Sequence, residues 1–115
     1  MKVFNIFFGK RGEQIAEKYL KKKGYSILRC NFRSHAGEID IIAEIGGVLV
    51  FTEVKRRSGG NFGKGYEAVG KVKQKKIIRT AQAYLNTLPD IPPCRFDVIS
   101  IDGEEITHIE NAFTA

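Results

Sequence analysis

The stretch GEIDIIAEIGGVLVFTEVKRR, Gly37 to Arg57, restricts the folds open to this chain more than any other segment. Two apolar runs rich in Ile and Val flank Gly46-Gly47, which is the turn chemistry of a β-hairpin. Ile45 then faces Val48, Asp40 falls opposite Glu53, and Glu38 falls opposite Lys55. Directly opposed side chains have Cβ atoms about 4.5–5.5 Å apart, and like charges placed there destabilise the pair. Two such carboxylates call for a shared proton or a cation between them. Oxygen donors of this kind suit Mg²⁺ or Mn²⁺. Glu53 and Lys55 are two residues apart and leave the same face of their strand. A lysine in that position can orient or deprotonate a water, or neutralise charge developing on a phosphate. The register decides all of this, because a three-residue loop would put Asp40 and Glu53 on opposite faces. Strand alternation groups Ile39, Ile41 and Ala43 with Val48, Val50, Thr52 and Val54 on one apolar face. The charged residues share the other face with Ile42, Leu49 and Phe51, so that face is expected to be half covered. The competing reading is an ordinary solvated sheet face.

The 115 residues, 43% of them apolar, suit a single domain spanning 1–115 with a modest core. A first helix is expected from about Lys10 to Lys23, closed by Gly24, with Ile15, Ala16, Tyr19 and Leu20 on one face and Glu13 bordering it. A strand from Tyr25 to Phe32 precedes the hairpin, and the glycine-rich loop Ser58–Gly65 follows it. A second helix is expected from Tyr66 or Val69 to Leu88, on the stripe Ile77, Ile78, Ala81, Tyr84, Leu85 and Leu88. Pro89 and Pro92-Pro93 break it. Strands at Arg95–Ile101 and Ile106–Phe113, joined through Asp102-Gly103, complete the order α-β-β-β-α-β-β. A helix between the third and fourth strands predicts an α/β (α+β) fold with a mixed sheet of about five strands and helices packed on it.

The net charge is +6, unevenly spread. Residues 1–36 and residues 53–80 each carry nine Lys/Arg against two acids, whereas residues 101–115 hold four acids and no Lys or Arg. Basic segments on both sides of the acidic strand suit a polyanion such as nucleic acid, although a lysine-rich surface without a partner fits the totals equally. Cys30 and Cys94 form no CxxC pattern, so neither a zinc site nor a disulfide framework is expected. The apolar run in MKVFNIFFGKRG is too short for a signal peptide, and no stretch approaches a membrane span. A cytoplasmic protein with no membrane partner and no small-molecule cofactor is expected.

An Asp on one strand, E-x-K on the next and a Glu on a preceding helix resemble the PD-(D/E)XK nuclease superfamily. A fuller likeness runs through GKRGEQIAEKYLKKKGYSILRCNFR, GEIDIIA, VFTEVKRR, AVGKVKQKKIIRTAQAYL, RFDVISI and ITHIENAF. In these blocks the chain resembles the YraN family, also called UPF0102, which is similar to archaeal Holliday junction resolvases. The resemblance implies a restriction-endonuclease-like core and a metal-dependent endonuclease acting on DNA, including branched DNA. It makes Asp40 and Glu53 metal ligands, with the Val54 carbonyl a third. Lys55 becomes the catalytic lysine, and Glu13 an outer or second-metal ligand. Ile39 stands where that superfamily often has Pro. Glu38 belongs to the family's GE-x-D signature and, lying opposite Lys55, would tune that amine or add a ligand.

Lys73 and Gln74 extend the stripe of the second helix backward. The lysine is placed to reach a phosphate, and the glutamine to hydrogen-bond the site. Lys71, Lys75, Lys76 and Arg79, with Arg56 and Arg57 beside the glycine-rich loop, are candidate phosphate contacts. Each has a solvated-surface reading too. His35, His108 and Asp97 are read as structural, and Tyr19 and Tyr84 as core. Two other functions stay open: a nucleic-acid-binding module that keeps the fold without turnover, and a protein that recruits a partner through the acidic segment Asp102–Glu110. Symmetric cutting of two strands would require two active sites, hence a homodimer.

Overall fold

Gly46 and Gly47 both take left-handed backbone angles, φ +56° and +81°, as the two-residue turn requires. Ile45 therefore faces Val48, and the same register continues to Ile41↔Thr52. The computed structural model describes residues 2–57 and 69–115, with side chains from Arg11 to Arg56 and from Val69 onward. Its elements are α1 (Lys2–Lys22), β1 (Ser26–Ser34), β2 (Gly37–Ile45), β3 (Val48–Arg57), α2 (Lys71–Leu85), β4 (Cys94–Asp102) and β5 (Glu105–Phe113). The strands form one sheet in the order β1-β2-β3-β4-β5. β3 and β4 are parallel, while every other neighbouring pair is antiparallel. The mixed sheet with α2 as its crossover is the architecture predicted from the element order.

Several boundaries differ from the expected ones. α1 begins at Lys2 rather than near Lys10 and runs through Gly9 and Gly12. Gly12 is buried, and a Cβ there would make ordinary contact with the Arg56 stem, 3.4 Å from its Cδ. The helix closes at Gly24, φ +95°, and Tyr25 N–H donates back to the Leu20 carbonyl. α2 starts at Lys71 and ends at Leu85, after which Thr87 and Leu88 form single turns onto Tyr84 and Leu85. Tyr66 and the loop Ser58–Gly65 lie outside the described residues. The last hairpin turns through Gly103-Glu104 rather than Asp102-Gly103, because Asp102 pairs with Glu105.

Each face of the sheet carries one helix. Ala16 and Leu20 of α1 pack on Ile41, Ala43, Val50, Ile99 and Ile101. Ile77 and Ala81 of α2 pack on Ile39, Ile42, Leu49, Phe51, Phe96 and Val98. An aromatic row crosses the α2 side: Phe113 stacks on Phe96 and Phe96 on Phe51, then Tyr84 meets both Phe51 and Phe32 edge-on. Ile39 thus lies on the α2 side, not with Ile41 and Ala43 as alternation predicts. The change happens at Asp40. β1–β2 pairing passes from Cys30↔Ile41 to Phe32↔Ile39, skipping Asp40 and the residue opposite it, Asn31, whose φ is +54°. Both strands swap faces there, so Cys30 meets Glu17 of α1 while Phe32 meets Tyr84 of α2.

A second irregularity, between β4 and β5, builds a polar knot under α1. The register shifts between Phe96 and Val98, and Asn111 takes φ +53°. Its N–H donates to Asp97 Oδ1 at 3.0 Å. Arg95 grips the same carboxylate through Nε and Nη2, both at 2.9 Å, and Nη2 also reaches the Tyr25 hydroxyl at 2.6 Å. His108 Nε2 lies 2.6 Å from Asp97 Oδ2, and its ring meets those of Tyr19 and Tyr25. Because a carboxylate only accepts, His108 Nε2 carries the proton, and the buried Nδ1 has no hydrogen-bond partner among the described residues. Asp97 and His108 are structural, as the sequence suggests. Burial alone would push the Asp97 carboxyl up, but His108, Arg95 and the Asn111 N–H together hold it below the ordinary carboxylate value. Its stabilising contribution is therefore complete above the unfolded pKa of about 4 and is lost as pH falls through the lower folded value. Asp97→Ala, which takes the shared acceptor from His108, Asn111 N–H and Arg95 while leaving Arg95 its contact with Glu110, is expected to cost about 3 kcal/mol in urea unfolding at pH 7. The gap from wild type should narrow below about pH 4.

Candidate metal and phosphate site

Asp40, Glu53, Lys55 and Lys73 meet on the α2 side of the sheet. Glu53 and Lys55 project from β3 beside Phe51, at the end of the strand where β4 runs parallel to it. Their two-residue spacing gives them a common face. Asp40 comes from the point where β2 changes faces. Instead of a regular backbone pair with Glu53, Asp40 Oδ2 accepts the Val54 N–H at 2.7 Å. A side-chain oxygen thereby replaces the carbonyl that a continuing antiparallel ladder would offer. The two carboxyl groups nevertheless line the same cavity, near enough for the Glu53 charge to act on Asp40.

Glu53 is only 7% exposed. It is held by two lysines, Lys73 Nζ at 2.5 Å and Lys55 Nζ at 3.6 Å. Burial first, then the negative charge of Glu53, push the Asp40 carboxyl up to about 7, against the pull of the Val54 N–H. Glu13 on α1 adds to that rise. Burial, followed by the hydrogen bond and charge of Lys73, lowers the pKa of Lys55. Burial also works against the Lys73 ammonium, but its contacts with Glu53 and Lys55 outweigh this and keep its pKa raised. Of the two amines, Lys55 is therefore the one that gives up its proton more readily, the form in which an amine can serve as a base.

Asp40 and Glu53 line a cavity of about 220 Å³ with Glu38, Lys73 and Lys76. Gly37 closes one end against α2, where a Cβ would lie 3.4 Å from Thr80 Oγ1. An all-oxygen acidic pair countered by lysines suits a hard divalent cation. Among the described residues, however, no three His, Cys, Asp or Glu side chains gather closely enough to hold a metal ion. Glu13 influences Asp40 through its charge without joining such a cluster.

Two predicted placements need correction. Glu38 does not lie beside Lys55, because the regular β2–β3 pairing stops short of it. Its Oε2 instead accepts from Arg33 Nε at 2.7 Å, across the β1–β2 pair. Gln74 does not bond to the site, since its Nε2 donates to the Val69 carbonyl at 3.0 Å and braces the start of α2. Lys71, Lys75, Lys76 and Arg79 are exposed along α2, and Arg56 is exposed on β3 with its stem against Gly12. Arg57 ends β3. The Lys73–Glu53 contact is stronger than the sequence indicated, and the only signal for it was the position of Lys73 one turn before Ile77.

The raised Asp40 pKa gives a test with a definite sign. A carboxyl that holds its proton more tightly folded than unfolded stabilises the fold most below about pH 4, and that contribution is lost as pH rises to about 7. Asp40→Asn keeps an acceptor for Val54 N–H and removes the repulsion with Glu53. In metal-free buffer at pH 8 it is expected to stabilise the protein by on the order of 1–3 kcal/mol, with the advantage vanishing near pH 4. Chemical unfolding at the two pH values measures the difference.

The profile of the uncharacterised protein family UPF0102 matches residues 12–101, a span containing all four site residues. A UPF0102 protein of Alkaliphilus oremlandii is 51% identical over 116 aligned residues, covering 95% of this chain and 99% of its relative. One from Thermodesulfovibrio yellowstonii is 50% identical over 108, covering 94% and 96%. One from Janthinobacterium is 45% identical over 107, covering 93% and 87%. With the family profile across most of its length and near-complete relatives at this identity, the chain belongs to the UPF0102 family.

Proposed function

We propose that this protein is a Mg²⁺- or Mn²⁺-dependent endonuclease that hydrolyses phosphodiester bonds in DNA, with branched or otherwise structured DNA among the substrates to test. The observation that carries this reading is the placement of Asp40 and Glu53 on one lysine-flanked cavity. Two neighbouring carboxylates are costly in a sheet and suited to a divalent cation. The likeness of the D…E-x-K arrangement to PD-(D/E)XK nucleases points the same way. Asp40 and Glu53 would hold the ion, with the Val54 carbonyl as a further donor and Glu13 acting at longer range. The ion supplies charge neutralisation at the scissile phosphate and acidifies a nearby water. Lys55, with its lowered pKa, orients that water and takes its proton. Lys71, Lys75, Lys76 and Arg79 on α2, with Arg56 and Arg57 on β3, contact the backbone phosphates. Their contribution weakens as salt rises. Cutting two strands symmetrically would take a pair of such sites in a homodimer.

A DNA-binding module without turnover is the second reading. It is favoured by the lack of a three-ligand cluster among the described residues and by the hold of Lys73 on Glu53. Incubation with linear, flapped and four-way-junction DNA in Mg²⁺ or Mn²⁺ separates the two readings. Wild type is expected to cut at least one substrate, and Asp40→Ala, Glu53→Ala or Lys55→Ala to lower the rate by at least about 100-fold. Binding without cleavage on all three substrates would establish the module instead.

A further inference from the structure

Lys73 marks a feature that the nuclease reading does not require. Its Nζ sits 2.5 Å from Glu53 Oε2, on a carboxylate almost wholly buried. Lys55 is already bound to that oxygen at 3.6 Å from the same strand. The second ammonium comes from a different element, α2, whose first turn is braced by the Gln74–Val69 bond. Lys76, one turn further along, lines the same cavity, yet the Glu53 ion pairs among the described residues are with Lys55 and Lys73. Lys73 is thus singled out by geometry to cover the oxygen that a cation bridging Asp40 and Glu53 would need.

We propose that Lys73 is the built-in counterion of the metal-free site: a divalent cation binds by displacing the Lys73 ammonium from Glu53, and the displaced amine turns toward the solvent-facing side of the cavity. The inference rests on the reading of Asp40 and Glu53 as a metal pair. Glu53 cannot stay uncompensated in its buried setting, since a buried charge needs a partner. Lys73 fills that need until a divalent ion takes over. The chemistry of the exchange is one ionic contact replaced by another, with no bond made or broken. Its result is that cation binding and the release of a phosphate-seeking amine become one event. The lysine stem is long and flexible, so the amine can leave Glu53 while α2 stays packed through Ile77 and Ala81.

Two measurements test this. Calorimetric titration with Mn²⁺ compares wild type, Lys73→Met and Lys76→Met, each checked for folding by circular dichroism. Each variant loses one positive charge from the same cavity, but only Lys73 occupies Glu53. Lys73→Met is expected to bind Mn²⁺ about five- to tenfold more tightly than wild type, and Lys76→Met to stay within about twofold. The second measurement is limited amine acetylation of the wild-type protein, localised by peptide mass spectrometry, with and without Mg²⁺. Mg²⁺ should raise labelling of Lys73 several-fold while leaving the exposed Lys71 and Lys75 unchanged. Equal Mn²⁺ affinities for the two variants, weaker binding by Lys73→Met, or Lys73 labelling that Mg²⁺ leaves level or lowers would each overturn the counterion role. These outcomes leave the metal pair intact provided that Asp40→Asn abolishes Mn²⁺ binding. If wild type and both lysine variants all fail to bind Mn²⁺, the metal pair falls, and the counterion role falls with it.

Discussion

The bond from Val54 N–H to Asp40 Oδ2 is where the sheet and the candidate site become the same object. A regular hairpin would have continued its backbone ladder past Ile41↔Thr52. Here a side chain takes over one acceptor position, which lets β2 turn its next residues to the opposite face without orphaning the β3 donor. Several features depend on that substitution. Ile39 reaches the core under α2, Asp40 reaches Glu53, and Phe32 on β1 follows across to meet Tyr84. Breaking the bond would therefore disturb the packing of three strands as well as the acidic pair.

Much of this organisation was legible in the sequence because its causes are local. Gly46-Gly47 specifies a turn that fixes the register over the next five pairs. The stripe Ile77–Leu85 specifies a helix, and the helix between two strands specifies a parallel crossover. Alternation failed at Asp40 because the rule assumes an unbroken ladder. The warning was present in RCNFR, where Asn31, a residue that tolerates left-handed geometry, interrupts an otherwise strand-like run. The early start of α1 was obscured by Gly9 and Gly12, which lower helix propensity. Tertiary packing overrides that at Gly12, which is buried beside the Arg56 stem. The polar knot around Asp97 was half visible. Arg95 and Asp97 share a strand face, but His108 and Tyr25 join them only through sheet order, which no spacing in the sequence reveals.

Asp40, half-buried, and Asp97, fully buried, solve similar problems in opposite ways. Each sits at a strand irregularity beside an asparagine with positive φ, and each accepts a backbone N–H. Asp97 is surrounded by Arg95, His108 and Asn111, so its charge is welcome and its site is closed. Asp40 shares its cavity with another carboxylate, so its charge is opposed by burial and by Glu53. One arrangement uses its polar groups to hold α1, β4 and β5 together. The other sets two acids side by side with lysines around them, which is why the proposed cation would go there and not to Asp97.

The sheet order also gives the two carboxylates unequal mechanical freedom. Glu53 grows from β3, the middle strand, where the parallel pairing with β4 runs on past it. Asp40 grows from the point where β2 leaves its regular pairing with β3, beside the edge strand β1. One jaw of the pair is bolted to the frame and the other sits where the ladder is interrupted. Adjustment to the radius of an incoming ion would fall to Asp40 and the edge of the sheet, while Glu53 keeps its place on the central strand.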